Sequence, residues 1–237
     1  MQGNDQSGAK ARGVWEMFSA IAPRYDLLNH LLSANTDRRW RRACAGEVRK
    51  KLGASPARIL DVGCGTGDLA IEFTRLGPVT GCDFCYPMLE IGRRKVSECA
   101  RGQPVHLLAG DGLRLPFRDA SFDAVVSAFV LRNLADLGKG LREMGRVLRP
   151  GGVLAALEFA IPRVPVFGAL YRFYFVRILP LLGDAVSGVA GAYRYLPESV
   201  RAFPPPEELK KIIAAAGFTT IESKPLSAGI AVLYLAQ

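Results

Sequence analysis

Histidine and acidic side chains are scarce in this chain. His30 and His106 are the only histidines in 237 residues, and no second cysteine pair joins Cys82 and Cys85, so the ligand sets of a zinc site are missing. The five cysteines (Cys44, Cys64, Cys82, Cys85 and Cys99) form no disulfide framework in a chain long enough to bury a core without staples. With no signal-peptide pattern at the start, they predict a reduced, cytoplasmic setting. Cys82 of the Cys82-x-x-Cys85 pair falls inside a strand pattern beside Asp83 rather than at a helix start, which argues against redox chemistry. No apolar run is both long and unbroken. Residues 164–182 are strongly apolar and aromatic, but Arg172, Arg177 and Pro180 interrupt them. That excludes a membrane span and predicts a buried or lid helix.

Asp and Glu number 22 against 31 Lys and Arg, giving a net charge of +9. The excess points to an anionic partner, either a nucleic acid or a membrane surface. Arg38, Arg39, Arg41, Arg42, Arg49, Lys50 and Lys51 cluster on one helical pattern, read as a solvated face able to meet acidic lipid headgroups. The cluster lacks the interleaved aromatics that stack bases, so no nucleic acid is expected. Hydrophobic residues at 49% and charged residues at 22% fit one ordinary globular domain.

The most informative segment is Ile59-Leu60-Asp61-Val62-Gly63-Cys64-Gly65-Thr66-Gly67-Asp68. A β-branched strand runs into alternating glycines and then a helix, the arrangement by which doubly wound α/β proteins hold nucleotide-like ligands. Asp83 closes the next strand pattern and Asp111 the one after it. Ligands in open α/β sheets lie beyond the carboxyl ends of the strands. Asp83 there can accept from both hydroxyls of a ribose, and Asp111 from an adenine amine. The turn resembles the first motif of S-adenosylmethionine-dependent methyltransferases.

Strand patterns at 57–62, 78–83, 104–109, 122–128 and 152–158 alternate with helical ones at 67–76, 87–99 and 136–148. This alternation predicts a Rossmann-like, mostly parallel sheet. A helix over 205–217 and strands over 218–224 and 230–236 make seven strands, with an antiparallel finish. Residues 1–9 are expected to lack structure. Helices follow at 13–21, 25–32 and 37–52, the last capped by Thr36. The expected organisation is a helical cap (1–52), a cofactor core (53–160), an acceptor-side lid (161–204) and a closing helix with strands (205–237).

Across nearly its whole length the chain resembles the ubiquinone/menaquinone biosynthesis C-methyltransferases. The matching segments include Tyr25-Asp26-Leu27-Leu28-Asn29, Trp40-Arg41, Leu131-Arg132-Asn133, Leu157-Glu158-Phe159 and Tyr193-Arg194-Tyr195. The resemblance implies methyl transfer to a ring carbon of a membrane-embedded polyprenyl quinol. Demethylmenaquinol is the first expectation, with a methoxy-benzoquinol of the ubiquinone pathway close behind. It implies S-adenosylmethionine as cofactor and S-adenosylhomocysteine as product. The expected cofactor contacts are Asp61, Gly63, Gly65, Thr66, Gly67, Asp83, Phe84, Met88, Asp111, Gly112 and Ser127. Arg132, Asn133, Tyr25, Asp26 and Asn29 are the expected catalytic set, with His30 a minor candidate base and no metal. Expected partners are the quinol, an anionic membrane at the periphery and a second copy of the chain.

Val130 departs from the glycine usual in this family, which is expected to narrow the acceptor pocket. Other readings of the sequence are a methyltransferase for another small acceptor, an RNA methyltransferase, and a non-catalytic binder of the same cofactor.

Overall fold

The computed structural model describes residues 3–33, 35–53, 55–99, 103–162, 164–181, 184 and 194–237. Three helices, Gly3–Ile21 (α1), Tyr25–Leu32 (α2) and Thr36–Leu52 (α3), precede the sheet. The strands are Ile59–Val62 (β1), Val79–Asp83 (β2), Val105–Ala109 (β3), Phe122–Ala128 (β4), Leu148–Phe159 (β5), Ile221–Leu226 (β6) and Ala231–Ala236 (β7). Asp68–Phe73 (α4), Tyr86–Cys99 (α5) and Leu137–Val147 (α6) connect the first five. Phe167–Phe173 (α7), Tyr195–Ala202 (α8) and Pro206–Ala215 (α9) follow.

The strand order is β3-β2-β1-β4-β5-β7-β6. Pairings from β3 through β5 are parallel, and β7 pairs antiparallel with both β5 and β6. The antiparallel strand is thus the last in the chain but lies one place in from the sheet edge. A switch point opens where β1 is followed in space by β4, and the glycine turn sits there.

Side-chain alternation explains the two-sided core. Ile59, Val153, Ala155 and Leu157 point to one face with Trp40 and Val48 of α3 and Phe73 of α4. Leu60, Val62, Leu154 and Ala156 point to the other, with Met144 of α6 and Leu209 of α9. Successive strand residues face opposite ways, so a sheet covered on both sides needs unbroken apolar strands. All four residues of β1 and all six of β7 are buried.

Four boundaries differ from the sequence reading. Helix α1 extends back to Gly3, inside the segment expected to lack structure. Lys10 anchors it by donating to the carbonyls of Arg132 (3.2 Å) and Leu134 (2.6 Å). Thr36 is the first helical residue rather than the cap: Asn35 precedes it in the left-handed conformation (φ 58°) with no side-chain cap bond. Pro150-Gly151-Gly152 lies inside β5, where the register against β4 shifts. The aromatic stretch forms α7 and a single π-helical turn, Tyr174–Ile178. Leu182, the end of that stretch, and Tyr193 lie outside the described residues.

Candidate active site

The glycine turn adopts backbone that side chains resist: φ is 69° at Gly63, 53° at Gly65 and 85° at Gly67. A Cβ on Gly63 would stand 2.5 Å from the Val130 methyl groups. Val130 therefore packs on the turn; it lines neither cavity described below, so it does not narrow the acceptor side directly. Asp83 holds the turn from below: one carboxylate oxygen accepts from the Gly65 amide and the other from the Cys85 amide, both at 2.8 Å. Burial pushes the Asp83 carboxyl up, and these amides oppose that. Met88 lies beneath Gly65, while Phe84 is half-exposed.

Asp61 is 1% exposed, and neither carboxylate oxygen has a hydrogen-bond partner. Burial first, and the Asp83 charge second, push it up to about 8; the nearby Ala70 amide and Arg41 offset this only in part. A buried, unpaired carboxylate facing a glycine cradle is complementary to a cationic ligand group. The chain's residues fit S-adenosylmethionine in this respect.

Elsewhere at the strand ends, Asp111 is exposed and accepts from the Leu113 amide (2.8 Å). Gly112 lies against Leu134 and Val62. The Ser127 hydroxyl donates to the Val62 carbonyl (3.0 Å), next to the first glycine of the turn, at 1% exposure. It ties β4 to β1.

Helix α2 lies on the turn. Asp26 accepts from the Thr66 hydroxyl (2.6 Å) and pairs with Lys95 (2.7 Å), which also pairs with Asp68 (2.5 Å). Asp26 thus faces the cofactor side and not the acceptor cavity. His30 sits between Asp37 (2.9 Å) and Asp68 (4.0 Å); it lines neither cavity, although each of these partners lines one. His30, Asp37 and Asp68 approach closely enough for a cation, but Arg41 and Lys95 supply the positive charge there.

Two cavities flank α2. One of about 30 Å³ lies over the turn, between Asp61, Gly63, Gly65, Thr66 and Asp68. The other, about 400 Å³, is walled by Phe18, Trp40, Phe129, Phe159, Tyr171 and Phe175, among others. Tyr25 and Arg41 line both, while Asn29 and Arg132 line the larger.

Arg132 forms the polar end of the larger cavity. Its Nη1 donates to Glu158 (3.0 Å) and to the Phe129 carbonyl (2.5 Å), while its Nε is buried without a partner. Its guanidinium lies 5.4 Å from the Phe159 ring centre. Tyr195 donates to the Asn133 side chain (3.0 Å). Burial raises the Tyr25 phenol, against Asn29, Arg132 and Arg41, which lower it.

The chain matches the ubiE/COQ5 methyltransferase family over residues 5–237. It belongs to that family. A demethylmenaquinone methyltransferase of Thermus thermophilus is 53% identical, covering 92% of this chain and 98% of the relative. One of Deinococcus radiodurans is 51% identical, covering 95% and 92%. A ubiquinone/menaquinone biosynthesis C-methyltransferase of Geotalea uraniireducens is 42% identical, covering 96% and 97%. Among solved structures, the [4+2]-cyclase SpnF aligns over 93% of this chain and 77% of its own (TM-score 0.66, 21% identity). A SAM-dependent methyltransferase of Thermotoga maritima aligns over 94% and 98% (TM-score 0.62, 20% identity). At such identities these two speak to the fold alone. This UbiE/COQ5 member is a methyltransferase using S-adenosylmethionine.

Two residues of the UbiE/COQ5 site escaped the sequence reading. Arg41 was placed with a solvated basic face, yet it is buried and pairs with Asp37 and Asp68 (3.6 Å). Its periodicity held the clue: the buried positions of α3 are 37, 40, 41, 44, 45 and 48, one helical stripe that includes it. Of the same cluster, Arg42, Lys50 and Lys51 pair with Glu72, Glu47 and Glu222, which shrinks the basic patch to Arg38, Arg39 and Arg49. Glu158 was seen only as part of a motif; its place beneath Arg132 emerges when β5 aligns beside β4.

Proposed function

We propose that this enzyme methylates a ring carbon of demethylmenaquinol, a reduced naphthoquinone with a polyprenyl tail. The observation that carries the reading is the aromatic cavity of about 400 Å³ meeting the glycine turn at Tyr25 and Arg41. Flat rings and an apolar tail match such walls. The names of the Thermus and Deinococcus relatives favour the naphthoquinol.

Bound S-adenosylmethionine supplies an electrophilic sulfonium methyl. The chain's residues orient the acceptor and stabilise charge. Arg132, fixed by Glu158, lines the cavity and brings its guanidinium charge to a phenolate oxygen, whose charge feeds the attacking ortho carbon. Asn133 is oriented by Tyr195. The Tyr25 phenol, raised by burial, stays a neutral donor rather than a base. Asp37 reaches the cavity wall, but its carboxyl is held low: burial raises it, while Arg41 and Ser33 outweigh that. A water beside Arg132 and Tyr25 is left to carry away the phenolic proton and, once the methyl is transferred, the ring-carbon proton whose loss restores the aromatic ring.

The test is incorporation of labelled methyl from S-adenosylmethionine into the ring carbon of a short-tailed demethylmenaquinol. Labelling of a benzoquinol alone would move the acceptor to the ubiquinone series, and labelling of neither would overturn the reading. Arg132→Ala lowers kcat about 10²–10³-fold while the cofactor Kd stays within about twofold. Because the truncation strands Glu158, the Arg132→Ala/Glu158→Gln pair recovers stability without recovering turnover.

No helix among the described residues is long and apolar enough to cross a membrane. Helix α7 and the residue before it nevertheless expose Val166 (83%), Leu170 (67%) and Phe173 (59%), and Leu170 also lines the aromatic cavity. These residues, with Arg172 and Arg177 nearby, support contact with an anionic bilayer from which the tail is drawn. Val166→Asp/Phe173→Glu should lose co-sedimentation with anionic vesicles and keep turnover of a short-tailed quinol.

A further inference from the structure

Helix α7 has a hollow on each side. Its Phe167, Leu170 and Tyr171 wall the aromatic cavity. Its Gly168, Ala169 and Arg172 wall a second hollow, of about 560 Å³, that methyl transfer does not use. With about 3.6 residues per turn, the two sets fall on opposite faces of the helix. Phe159, at the end of β5, belongs to both hollows. Val200 and Phe203 add apolar wall to the second, and so do five prolines, Pro162, Pro165 and Pro204–Pro206. Proline brings no N–H, so these loop walls present few backbone donors that only water could satisfy. No acid lines the second hollow. Its charged residues are Arg172 and Arg201, both exposed, and neither has a hydrogen bond or ion pair among the described residues.

On the reading that the acceptor is a tailed quinol, the aromatic cavity is too small for all of it. About 400 Å³ encloses one drug-sized ring system, and a polyprenyl chain must continue elsewhere. The two hollows reach the surface one helical turn apart. Leu170 of the first is 67% exposed and Val166 of the second 83%, and the Leu170 amide donates to the Val166 carbonyl (3.0 Å). We propose that the second hollow seats the acceptor's polyprenyl tail. The tail leaves the aromatic cavity at Leu170, crosses α7 beside Val166 and lies between α7 and the Phe203–Pro206 link. This path covers two large apolar side chains that otherwise face water. A chain of methyl-branched units makes only dispersion contacts, which suits walls of proline, valine and alanine. Arg172 and Arg201 meet the phosphates of the anionic surface from which the tail comes. The tail then sets affinity, while the rings alone set the rate of methyl transfer.

The test compares demethylmenaquinols carrying one and four isoprene units on the full chain. Both are presented in the same neutral detergent micelles, so partition into the micelle cancels in each ratio of variant to wild type. Ala169→Trp fills the second hollow from an exposed helical position. It should raise KM for the four-unit quinol at least about tenfold with kcat unchanged, and leave the one-unit quinol within about twofold. An equal effect on both tails, or none on either, would overturn the proposal. A second measurement needs no variant. A four-unit analogue with a diazirine on its last unit should label Val166, Ala169 or Phe203 of the wild type. Label confined to Tyr171 and Phe175 would place the tail in the aromatic cavity and overturn the proposal. Label displaced by phosphatidylglycerol but not by unlabelled quinol would hand the hollow to a lipid chain and overturn it too. In each of these failures the one-unit quinol is still methylated; if the wild type methylates neither quinol, the acceptor reading falls and the tail site with it.

Discussion

Asp83→Ala should leave no measurable binding of S-adenosylmethionine. The carboxylate sits at the end of β2 and is 8% exposed. It holds the Gly65 and Cys85 amides and keeps lone pairs free for two ribose hydroxyls. Each charge-assisted hydrogen bond is worth about 1.5–3 kcal/mol, so losing two weakens binding about 10²–10⁴-fold. The turn itself also loses its lower anchor. Asp83→Asn separates the two effects: its amide oxygen can still accept one backbone bond, but no charge remains for the ribose. We expect Asp83→Asn to melt close to wild type and to show little thermal shift with cofactor. A full cofactor-induced shift in Asp83→Ala would remove Asp83 from the site.

The sheet was legible because its signals are local. Apolar strands alternate with helices at a steady spacing, and glycines at 63, 65 and 67 can adopt positive φ without strain. The acids at strand ends were legible for the same reason: position in the repeat fixes which edge they reach. Asp61, Asp83 and Asp111 all lie at the carboxyl edge, yet only the first two are buried there.

What was not legible depends on tertiary contacts. Arg41 and Arg42 are neighbours in one basic run, and nothing in composition separates them. One turns inward because α3 packs its 37-40-41-44-45-48 stripe on the sheet, and the other meets Glu72 at the surface. Ser127 lies at the right strand end, but its hydroxyl is satisfied by Val62, one strand away. Lys10 could not be read as a strap, since its acceptors are more than 120 residues distant in the chain. Helix α7 shows both limits. Its composition marked it as lid or core, and only the fold shows one side lining the cavity with Tyr171 and the other exposing Phe173.

Asp61→Asn should make the ligand-free enzyme more stable and nearly blind to its cofactor. In the folded state burial and Asp83 hold the Asp61 carboxyl up at about 8. The unfolded chain titrates near the ordinary value of about 4. Raised pKa means the folded state holds a proton that the unfolded state has released, so stability falls with rising pH through that interval and levels off above about 8. Asparagine has no such proton to acquire, although its buried amide remains poorly satisfied, and the net gain near neutral pH is about 1–2 kcal/mol. The gap between variant and wild type should widen from about pH 5 to 8 and then stay constant. Binding has the opposite sign. A cofactor ammonium beside Asp61 favours the carboxylate, so association releases a proton and affinity rises from about pH 6 to 7.5. Calorimetry in two buffers of different ionisation enthalpy reads that proton directly. A wild type that releases no proton, or a variant no more stable at pH 8 than at pH 5 relative to it, would show that Asp61 is already ionised and satisfied before the cofactor arrives.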